Sequence, residues 1–437
     1  MSFSNFKLTK QLQNALEEQG IETPSPIQEK AIPIILSGKD VVGIAQTGTG
    51  KTLAYLLPIL RNLKYSDQRY PRVLIIVPTR ELAVQVVQEI DKLTSYISIR
   101  TLHVFGGTNI NTQKEKVQNG SDILVATPGR LYDLTMTGVL RLKDIKTLVI
   151  DECDEMMNLG FRPQLERILE LLPTKRQSLM FSATSSEIVE EVVDQYFKDT
   201  ERIIVAPSGT PLEQIDQLAY KAPNYHTKLN LLTFLLASPS VQRCFVFVRT
   251  KAMADRLHEA IGKEFPEQYG VIHSNKSQNY RLRMVDEMRS NELKGLIATD
   301  VVARGIDIDD VTHVFNFDIP EQVEQYIHRI GRTGRKELRG SAISFYTPKE
   351  EVVFRHIEAY MDKKVERFPL PAEVEYSERL LPEEEEVNIH DAPTLLGKNV
   401  VRVSSDQNHQ KKEQPKRNIK PKERAMKNKR RNKRKRR

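Results

Sequence analysis

Short, unbroken apolar runs, each followed by a segment with helical periodicity, constrain the fold of this chain more than any other feature. A run of four to six apolar residues without polar alternation is typical of a β-strand buried on both faces. Such strands, alternating with amphipathic helices, predict an α/β fold with parallel sheets covered by helices. The runs lie at 41–45, 73–77, 101–105, 123–126, 147–150, 178–181 and 203–205, and then at 244–248, 270–273, 295–298, 313–317 and 341–346.

A segment rich in Pro, Ser and Gly interrupts this alternation, and we interpret residues 207–215 as a linker. It separates a domain at 1–206 from a second α/β domain of similar size at 216–365. The rough prior of about 150 residues per domain agrees with this division. Beyond it lie an extension at 366–410, acidic first and then polar, and a basic tail at 411–437.

The net charge of +8 conceals a division between the body and the tail. The tail has 16 Lys and Arg against 2 Asp and Glu, a net charge of +14, which leaves −6 for residues 1–410. Because the tail has few apolar side chains, we expect it to be disordered. It has no aromatic rings on which bases could stack, so it should attract nucleic-acid phosphates without sequence preference. A solubilising charge run, or a site for a protein partner, is the alternative.

Several protein classes are excluded. No apolar stretch approaches the roughly 18–20 residues of a membrane-spanning helix, and the first residues lack the pattern of a secretory signal. The two cysteines, Cys153 and Cys244, are too few for a Cys/His zinc cluster and suit a reducing compartment. We therefore expect a cytoplasmic protein without membrane partners.

A glycine-rich turn joins the first apolar run to a Leu-rich helical segment. Its glycines allow backbone N–H groups to point at phosphate oxygens, at the positive end of the following helix. Lys51 would reach the β- and γ-phosphates, and Thr52 would offer its hydroxyl to Mg²⁺. The sequence thus predicts a nucleotide site, with Ala45 standing where the usual pattern has Gly. The turn comprises Ala45, Gln46, Thr47, Gly48, Thr49, Gly50, Lys51 and Thr52.

An acidic strand end and an arginine-rich segment supply the remaining parts of a hydrolytic site. Asp151 suits the water shell of Mg²⁺, and Glu152 suits orienting and deprotonating the attacking water. Arg329, Arg332 and Arg335 follow at intervals of three, and positive charge of this kind stabilises a γ-phosphate in the transition state. Because these arginines belong to the second domain, the site would be complete only when the domains close.

The ordered set of motifs between residues 3 and 350 resembles that of the DEAD-box ATP-dependent RNA helicases of superfamily 2. Each motif is modest alone, but their order is specific. The acidic motif reads Asp-Glu-Cys-Asp, with Cys153 where the family name implies Ala, and this small side chain should leave the neighbouring carboxylates in their roles. The resemblance implies two RecA-like domains that bind ATP and Mg²⁺ and hydrolyse ATP in response to RNA.

The resemblance also implies roles around the nucleotide. The segment GIETPSPIQ is similar to the adenine-reading Q motif, which implies that Gln28 hydrogen-bonds the adenine and that Phe3 is the upstream aromatic residue. Asp307 would meet the ribose. Arg332 and Arg335 would act as arginine fingers.

Two further groups are implied to connect hydrolysis with RNA. Ser182 and Thr184 of the SAT motif would bridge Asp154 and couple hydrolysis to domain closure. RNA-backbone contacts are implied at strand ends, where loops approach phosphates closely. These contacts are Pro78, Thr79, Arg80, Gly106, Gly107, Thr127, Pro128, Gly129 and Arg130 in the first domain, and Arg249, Thr250, Gln278, Arg281 and Thr299 in the second.

The motifs leave three functions to consider for this chain. The favoured one is an RNA-dependent ATPase that separates short duplexes or remodels RNA–protein complexes. A DNA translocase of the same superfamily is disfavoured by the Q motif and the RNA-facing set. A non-hydrolysing RNA clamp is disfavoured by the intact Lys51, Glu152, Arg332 and Arg335. The pathway stays open, with ribosomal and mRNA-decay complexes as candidate partners.

Overall fold

Helices and strands alternate along the chain, as the apolar runs predict. The computed structural model describes residues 2–46, 48–205, 215–300, 308, 310–334 and 339–385. Their helices are α1 (Lys10–Glu18), α2 (Pro26–Leu36), α3 (Lys51–Asn62), α4 (Arg80–Leu93), α5 (Ile110–Gln118), α6 (Pro128–Met136), α7 (Cys153–Asn158), α8 (Arg162–Leu171), α9 (Glu187–Tyr196), α10 (Tyr225–Leu236), α11 (Lys251–Glu264), α12 (Gln278–Arg289), α13 (Val323–Ile330) and α14 (Glu351–Tyr360).

The strands form two sheets, and the first seven strands belong to the first sheet. The strands are β1 (Val41–Ala45), β2 (Val73–Ile76), β3 (Thr101–Val104), β4 (Ile123–Ala126), β5 (Thr147–Asp151), β6 (Gln177–Ser182), β7 (Glu201–Val205), β8 (Ile215–Lys221), β9 (Cys244–Phe247), β10 (Tyr269–Ile272), β11 (Gly295–Ala298), β12 (His313–Asn316), β13 (Gly340–Tyr346) and β14 (Glu366–Phe368).

The first sheet has the order β3-β4-β2-β5-β6-β1-β7, and its neighbouring strands are parallel. Parallel strands end at one edge of a sheet, which is where ligands bind in open α/β folds. The loops that follow β5, β6 and β1 are therefore neighbours. The loops that follow β3, β4 and β2 form an adjacent group along the same edge.

The second sheet repeats this arrangement with the order β10-β11-β9-β12-β13-β8-β14. Its neighbouring strands are also parallel. Both sheets have helices on their faces, which gives two RecA-like α/β halves, as the sequence predicts.

Both faces of the central strands of the first sheet are buried, which explains why these strands lack polar alternation. Along β2, Ile75 packs into the cluster on one face, whereas Leu74 and Ile76 pack into the cluster on the other. All three are fully buried. Each fully buried aliphatic side chain of this size contributes about 1.5–3 kcal/mol, so the unbroken runs stabilise the sheet from both sides.

Two strands of the second sheet were not among the predicted apolar runs. β8 alternates buried and more exposed residues because it lies next to the sheet edge, so its sequence lacks an unbroken apolar run. β14 has only three residues, all exposed, and pairs with β8 at the edge. Neither has the signature of a doubly buried strand.

Residues 369–385, which we call the C-terminal strap, pack against the second half beyond the boundary assigned at 365. Val374 is buried in the same apolar cluster as Leu231 of α10. The Ser377 N–H donates to the hydroxyl of Thr227 at 3.1 Å. Glu384 accepts a hydrogen bond of 2.7 Å from the first N–H group of α10. Part of the segment predicted as an acidic extension is thus attached to the second half.

The proposed linker lies outside the described residues except for Ile215, which begins β8. The extension from residue 386 onward and the basic tail also lie outside them. None of the described helices combines the length and the apolar character that crossing a bilayer requires.

Candidate functional site

Three neighbouring strand ends form the first part of the site. β1 leads into the glycine-rich turn, β5 ends in Asp151, and β6 ends in Ser182. Because the strands lie in the order β5-β6-β1, the turn, the acidic motif and the SAT motif meet at one edge of the first sheet. The structure thereby brings together residues separated by more than a hundred positions in the sequence.

Lys51 begins α3 and is buried at this edge, with 6% of its surface exposed. Its Nζ has no hydrogen-bond partner among the described residues. Burial raises the pKa of Asp151 and of Glu152, and the positive charge of Lys51 opposes both shifts. A buried ammonium group beside a glycine-rich turn fits a phosphate ligand.

Gly50 precedes α3 in the left-handed conformation, with a φ of 84°. A Cβ atom there would overlap the side-chain amide of Gln28. The Gln28 Nε2 donates to the Gly50 carbonyl at 3.0 Å, and its Oε1 accepts from the Ser25 N–H at 2.9 Å. Gln28 is therefore fixed to the turn, and each end of its amide retains one further hydrogen-bonding position for a ligand.

Asp151 is held through both carboxylate oxygens. Its Oδ1 accepts from the Glu152 N–H at 3.0 Å, and its Oδ2 accepts from the hydroxyl of Tyr55 at 2.9 Å. Burial, followed by the charge of Asp151, raises the pKa of Tyr55 well above its ordinary value, so the hydroxyl remains a donor. Glu152 caps α7 in the left-handed conformation, with a φ of 53°.

The SAT motif contacts the acidic motif, as predicted. The backbone N–H and the hydroxyl of Thr184 each donate to Asp154 Oδ2 at 3.0 Å. The Asp154 N–H donates to the Ser182 hydroxyl at 3.3 Å. His328 of the second half lies 3.8 Å away, from its Nε2 to Asp154 Oδ2. Burial raises the pKa of Asp154, but His328, Lys51 and the hydrogen bonds outweigh this effect and leave it lowered.

The arginine-rich segment contributes two arginines with different surroundings. Arg329 is buried and ion-pairs with Asp300 at 2.5 and 2.8 Å, so it fastens α13 to the strand ends of the second half. Arg332 lies just beyond the end of α13, and its positive charge lowers the pKa of Glu152 against the larger effect of burial. Arg332 thus acts electrostatically on the acidic motif.

The first half also gathers the predicted RNA-facing residues at adjacent strand ends. Burial lowers the pKa of Arg80, and burial together with the charge of Arg80 lowers that of Arg130. Gly107 has a φ of 77°, and a Cβ atom there would overlap the guanidinium of Arg80. Two arginines that repel each other at strand ends favour an anion between them.

The remaining residues of this set support the same strand ends. Thr79 is the N-cap of α4 and accepts from the Leu82 N–H at 3.2 Å. Gly106 and Gly129 are partly exposed, whereas Pro78, Thr127 and Pro128 are buried.

Two predicted RNA-binding residues of the second half contact the first half. Gln278 begins α12, and its Nε2 donates to Glu81 Oε1 at 3.1 Å. Arg281 forms an ion pair with the same carboxylate. Burial, followed by the charge of Arg80, lowers the pKa of Arg281 to about 10. We call the contact between Glu81 and these two side chains the seam, because it joins the two halves beside the arginine cluster.

The other predicted contacts of the second half lie at its strand ends. Arg249 is half exposed, and its Nη2 lies 2.5 Å from Glu350 Oε1. The Arg249 N–H donates to Asp318 Oδ2 at 2.9 Å. Thr250 is the N-cap of α11, and Thr299 is buried after β11.

Other predicted residues lie elsewhere or outside the described part. Phe3 is buried and packs edge-to-face on Phe6, with ring centroids 6.0 Å apart. Gln46 and Thr49 are joined within the glycine-rich turn, where the Thr49 hydroxyl donates to the Gln46 carbonyl at 2.7 Å. Cys153 is buried in α7, which raises the pKa of its thiol. Thr47, Asp307 and Arg335 lie outside the described residues.

Comparison with known families identifies the chain. The family model for DEAD/DEAH box helicases matches residues 25–192, and the model for the helicase conserved C-terminal domain matches residues 227–337. The DEAD-box ATP-dependent RNA helicase CshA of Geobacillus kaustophilus is 39% identical over 370 residues, which cover 85% of this chain and 79% of that protein. The chain belongs to the DEAD-box helicase family. The DEAD-box ATP-dependent RNA helicase RhpA of Helicobacter pylori is 38% identical, over 85% of this chain and 74% of that protein.

Solved structures of DEAD-box helicases have the same two-domain fold. Dbp5 of S. cerevisiae bound to RNA and ADP BeF3 is 30% identical, with a TM-score of 0.78 over 84% of this chain and 96% of that one. Mss116p bound to ssRNA and AMP-PNP is 26% identical, with a TM-score of 0.74 over 84% of this chain and 78% of that one. A Dbp5 variant bound to Nup159, Gle1, IP6 and ADP is 28% identical, with a TM-score of 0.59 over 83% of this chain and 95% of that one. The arrangement of the two halves here is thus more similar to Dbp5 with RNA.

Sequence reasoning missed four side chains of this DEAD-box site. Tyr55, Glu81, His328 and Glu350 each contact a predicted residue that is distant in the sequence. A polar hydroxyl in the apolar segment after Thr52 was the available signal for Tyr55. Glu81 directly follows Arg80 and His328 directly precedes Arg329 in the sequence, but their partners could not be deduced without the fold.

Proposed function

We propose that this protein is an RNA-dependent ATPase that uses ATP binding and hydrolysis to close and open its two halves on RNA. The observation that supports this best is the contact between His328 of the second half and Asp154 of the acidic motif. Asp154 also accepts hydrogen bonds from Thr184, so one carboxylate links the hydrolytic edge, the SAT motif and the opposing half. Closure and completion of the site are therefore one event.

The nucleotide side of the proposal rests on the fit of the buried groups to ATP and Mg²⁺. Lys51 offers an unpartnered, buried ammonium group for the phosphates, and Gln28 offers its free amide positions for the adenine. Thr52 and Asp151 are the residues that would hold Mg²⁺, partly through water. When bound, Mg²⁺ would neutralise the phosphate charge and polarise the γ-phosphate for attack.

Hydrolysis assigns different tasks to the protein groups. Glu152 would orient the attacking water and accept its proton, since burial raises the pKa of this carboxylate toward the working range of a general base. Arg332 would bring positive charge from the second half, and Arg335 and Asp307 would complete the set as arginine finger and ribose contact. In the open state these arginines would lie away from the γ-phosphate, so ATP turnover would be slow until RNA favours closure.

RNA would be held by its backbone along the loops of both sheets. Arg80 and Arg130 provide the positive groups of the first half, and Arg249 provides one in the second. In the closed state the seam would add Gln278 and Arg281 near the same path. Closure on one strand would bend it and displace its partner, and hydrolysis would release it. The basic tail would keep RNA near this clamp by attraction to phosphates.

The decisive assay compares ATP turnover with single-stranded RNA and with DNA of the same sequence and length, at equal ionic strength. We expect RNA to stimulate turnover several-fold more than DNA, because the 2′-hydroxyl distinguishes the two backbones. Equal stimulation would refute the RNA assignment in favour of a DNA translocase. A complete lack of turnover with intact nucleotide binding would instead favour a non-hydrolysing clamp.

The cellular role is a narrower proposal. Ribosomal and mRNA-decay complexes are partners that suit a helicase with little sequence specificity, in the cytoplasm. Crosslinking of bound RNA in cells would identify the substrate, and an absence of both ribosomal RNA and mRNA would contradict this proposal.

A further inference from the structure

The interior of the first half contains a polar group to which the hydrolytic scheme assigns no role. Tyr55 lies on α3, one turn after Thr52, and its side chain is fully buried. Its ring packs against Phe181 of β6, with centroids 5.4 Å apart. Its hydroxyl donates to Asp151 Oδ2 at 2.9 Å.

This hydroxyl reaches Asp151, one of the two residues that would hold Mg²⁺. Thr52 belongs to the glycine-rich turn, whereas Asp151 ends β5, two strands away from β1 in the sheet. A phenyl ring would fill the same space against Phe181. The hydroxyl therefore adds only its hydrogen bond, which leads to a metal-facing side chain.

The geometry at Asp151 explains what the hydroxyl would do. The carboxylate has one donor on each oxygen, the Glu152 N–H on Oδ1 and the Tyr55 hydroxyl on Oδ2. With both oxygens engaged, the carboxylate cannot rotate freely, so its remaining lone pairs point in fixed directions. Without the hydroxyl, only the backbone donor would hold the carboxylate.

We propose that Tyr55 is a positioning residue that holds the Asp151 carboxylate in the orientation required for Mg²⁺-dependent nucleotide binding. This inference rests on the proposed function, because it assumes that Thr52 and Asp151 face Mg²⁺. It adds a residue on α3, the helix that follows the glycine-rich turn, whose hydroxyl helps to fix the acidic motif.

The test is Tyr55→Phe, with the Kd for ADP measured by calorimetry in Mg²⁺ and again in EDTA. We expect a loss of affinity of roughly tenfold in Mg²⁺, the scale of one hydrogen bond to a charged group. In EDTA the affinity should change by less than about twofold, because the ring still packs. The Mg²⁺ concentration that gives half-maximal turnover should rise in parallel.

Tyr326→Phe is the matched control. Tyr326 is also fully buried and donates to a side-chain oxygen, Gln217 Oε1 at 3.1 Å, but it lies in the second half. It should show a similar loss of thermal stability without any change in the Mg²⁺ dependence of ADP binding. Equal losses for Tyr55→Phe with and without Mg²⁺ would reduce Tyr55 to a structural role and overturn the proposal.

A double-mutant cycle provides a second criterion. In an Asp151→Asn background the charged acceptor is absent, so adding Tyr55→Phe should have less than about twofold effect on Mg²⁺-dependent binding. A full additive effect would overturn the proposal. If the wild-type chain binds ADP independently of Mg²⁺, the proposed nucleotide site itself fails. A Mg²⁺-specific effect of Tyr55→Phe without RNA stimulation would leave this inference intact and refute only the RNA function.

Discussion

At the scale of single residues, Glu152 combines backbone strain with an unusual electrostatic setting. A left-handed conformation costs a non-glycine residue roughly 1–2 kcal/mol, and Glu152 adopts it at the turn between β5 and α7. The turn places the carboxylate beside Asp151 and within the fields of Lys51 and Arg332. Strain that persists at such a position indicates that the placement of this carboxylate matters for function more than for stability.

The substitution Glu152→Gln tests the role of this carboxylate as a base. The amide preserves the shape of the side chain but cannot accept a proton, so we expect RNA-saturated turnover to fall by about 10²-fold or more. ADP and RNA binding should remain within about threefold, since neither requires proton transfer. Phosphate release and equilibrium titrations measure the two quantities. The control is Glu166→Gln, which removes a partly exposed ion pair with Arg162 in α8. Unchanged turnover in Glu152→Gln would contradict the assignment of Glu152 as the base.

At the scale of elements, the sequence predicted what depends on local pattern. Each apolar run became a strand, although β3 and β7 at the edges of the first sheet are only partly buried. The rule that ligands bind at the ends of parallel strands located the acidic motif beside the glycine-rich turn. β8 and β14 escaped prediction because β8 alternates buried and exposed residues and β14 has three exposed residues, so neither has an unbroken apolar run. Tyr55 and Glu81 escaped because their roles come from partners that only the assembled sheets bring near.

The C-terminal strap is the element whose sequence was least informative. Its Glu-rich composition is typical of a solvated segment, yet Glu384 caps α10 and Ser377 bonds Thr227. Leu370 and Leu381 pack against the same cluster that buries Val374. An acidic segment can therefore be part of a folded half when a few of its residues supply apolar contacts and caps.

Two truncations separate the strap from the tail. A chain that ends at Phe368 should unfold its second half with about 3 kcal/mol less stability, because it loses the burial of Val374 and the cap of α10. A chain that ends at Glu385 should retain full stability but bind RNA more weakly and with a shallower salt dependence. Urea unfolding and RNA titrations at two salt concentrations measure these effects. Equal stability of the two truncated chains would contradict the structural role of the strap.

At the scale of the whole molecule, the charge division and the seam both concern how the protein would hold RNA. The body carries a net charge of −6, so long-range attraction to RNA depends on the +14 tail, while the arginines of the body act only at short range. Those arginines are assembled from both halves: Arg80 and Arg130 from the first, Arg281 from the second. Because mutual repulsion disfavours such a cluster, the ion pair of Glu81 with Arg281 helps to compensate it where the halves meet.

The substitution Glu81→Gln therefore tests whether the seam controls closure. Removing one charge of a buried ion pair strongly destabilises the state that contains it, so we expect the affinity for RNA in the presence of an ATP analogue to fall by at least about tenfold. RNA-stimulated turnover should fall with it, whereas ADP affinity should not change, because Glu81 does not contact the nucleotide edge. Fluorescence anisotropy of labelled RNA and calorimetry with ADP measure both.

Glu89→Gln on the same helix is the control, because its pair with Lys92 is solvent-accessible and should contribute little. If Glu81→Gln changes neither RNA affinity nor stimulation, the seam is a passive contact, and the arginine cluster must be compensated by RNA alone. If both variants weaken RNA binding equally, the effect of Glu81 is not specific to the seam. The carboxylate of Glu81 couples the nucleotide state to RNA affinity only if the loss of RNA affinity is specific to Glu81→Gln and depends on the bound nucleotide.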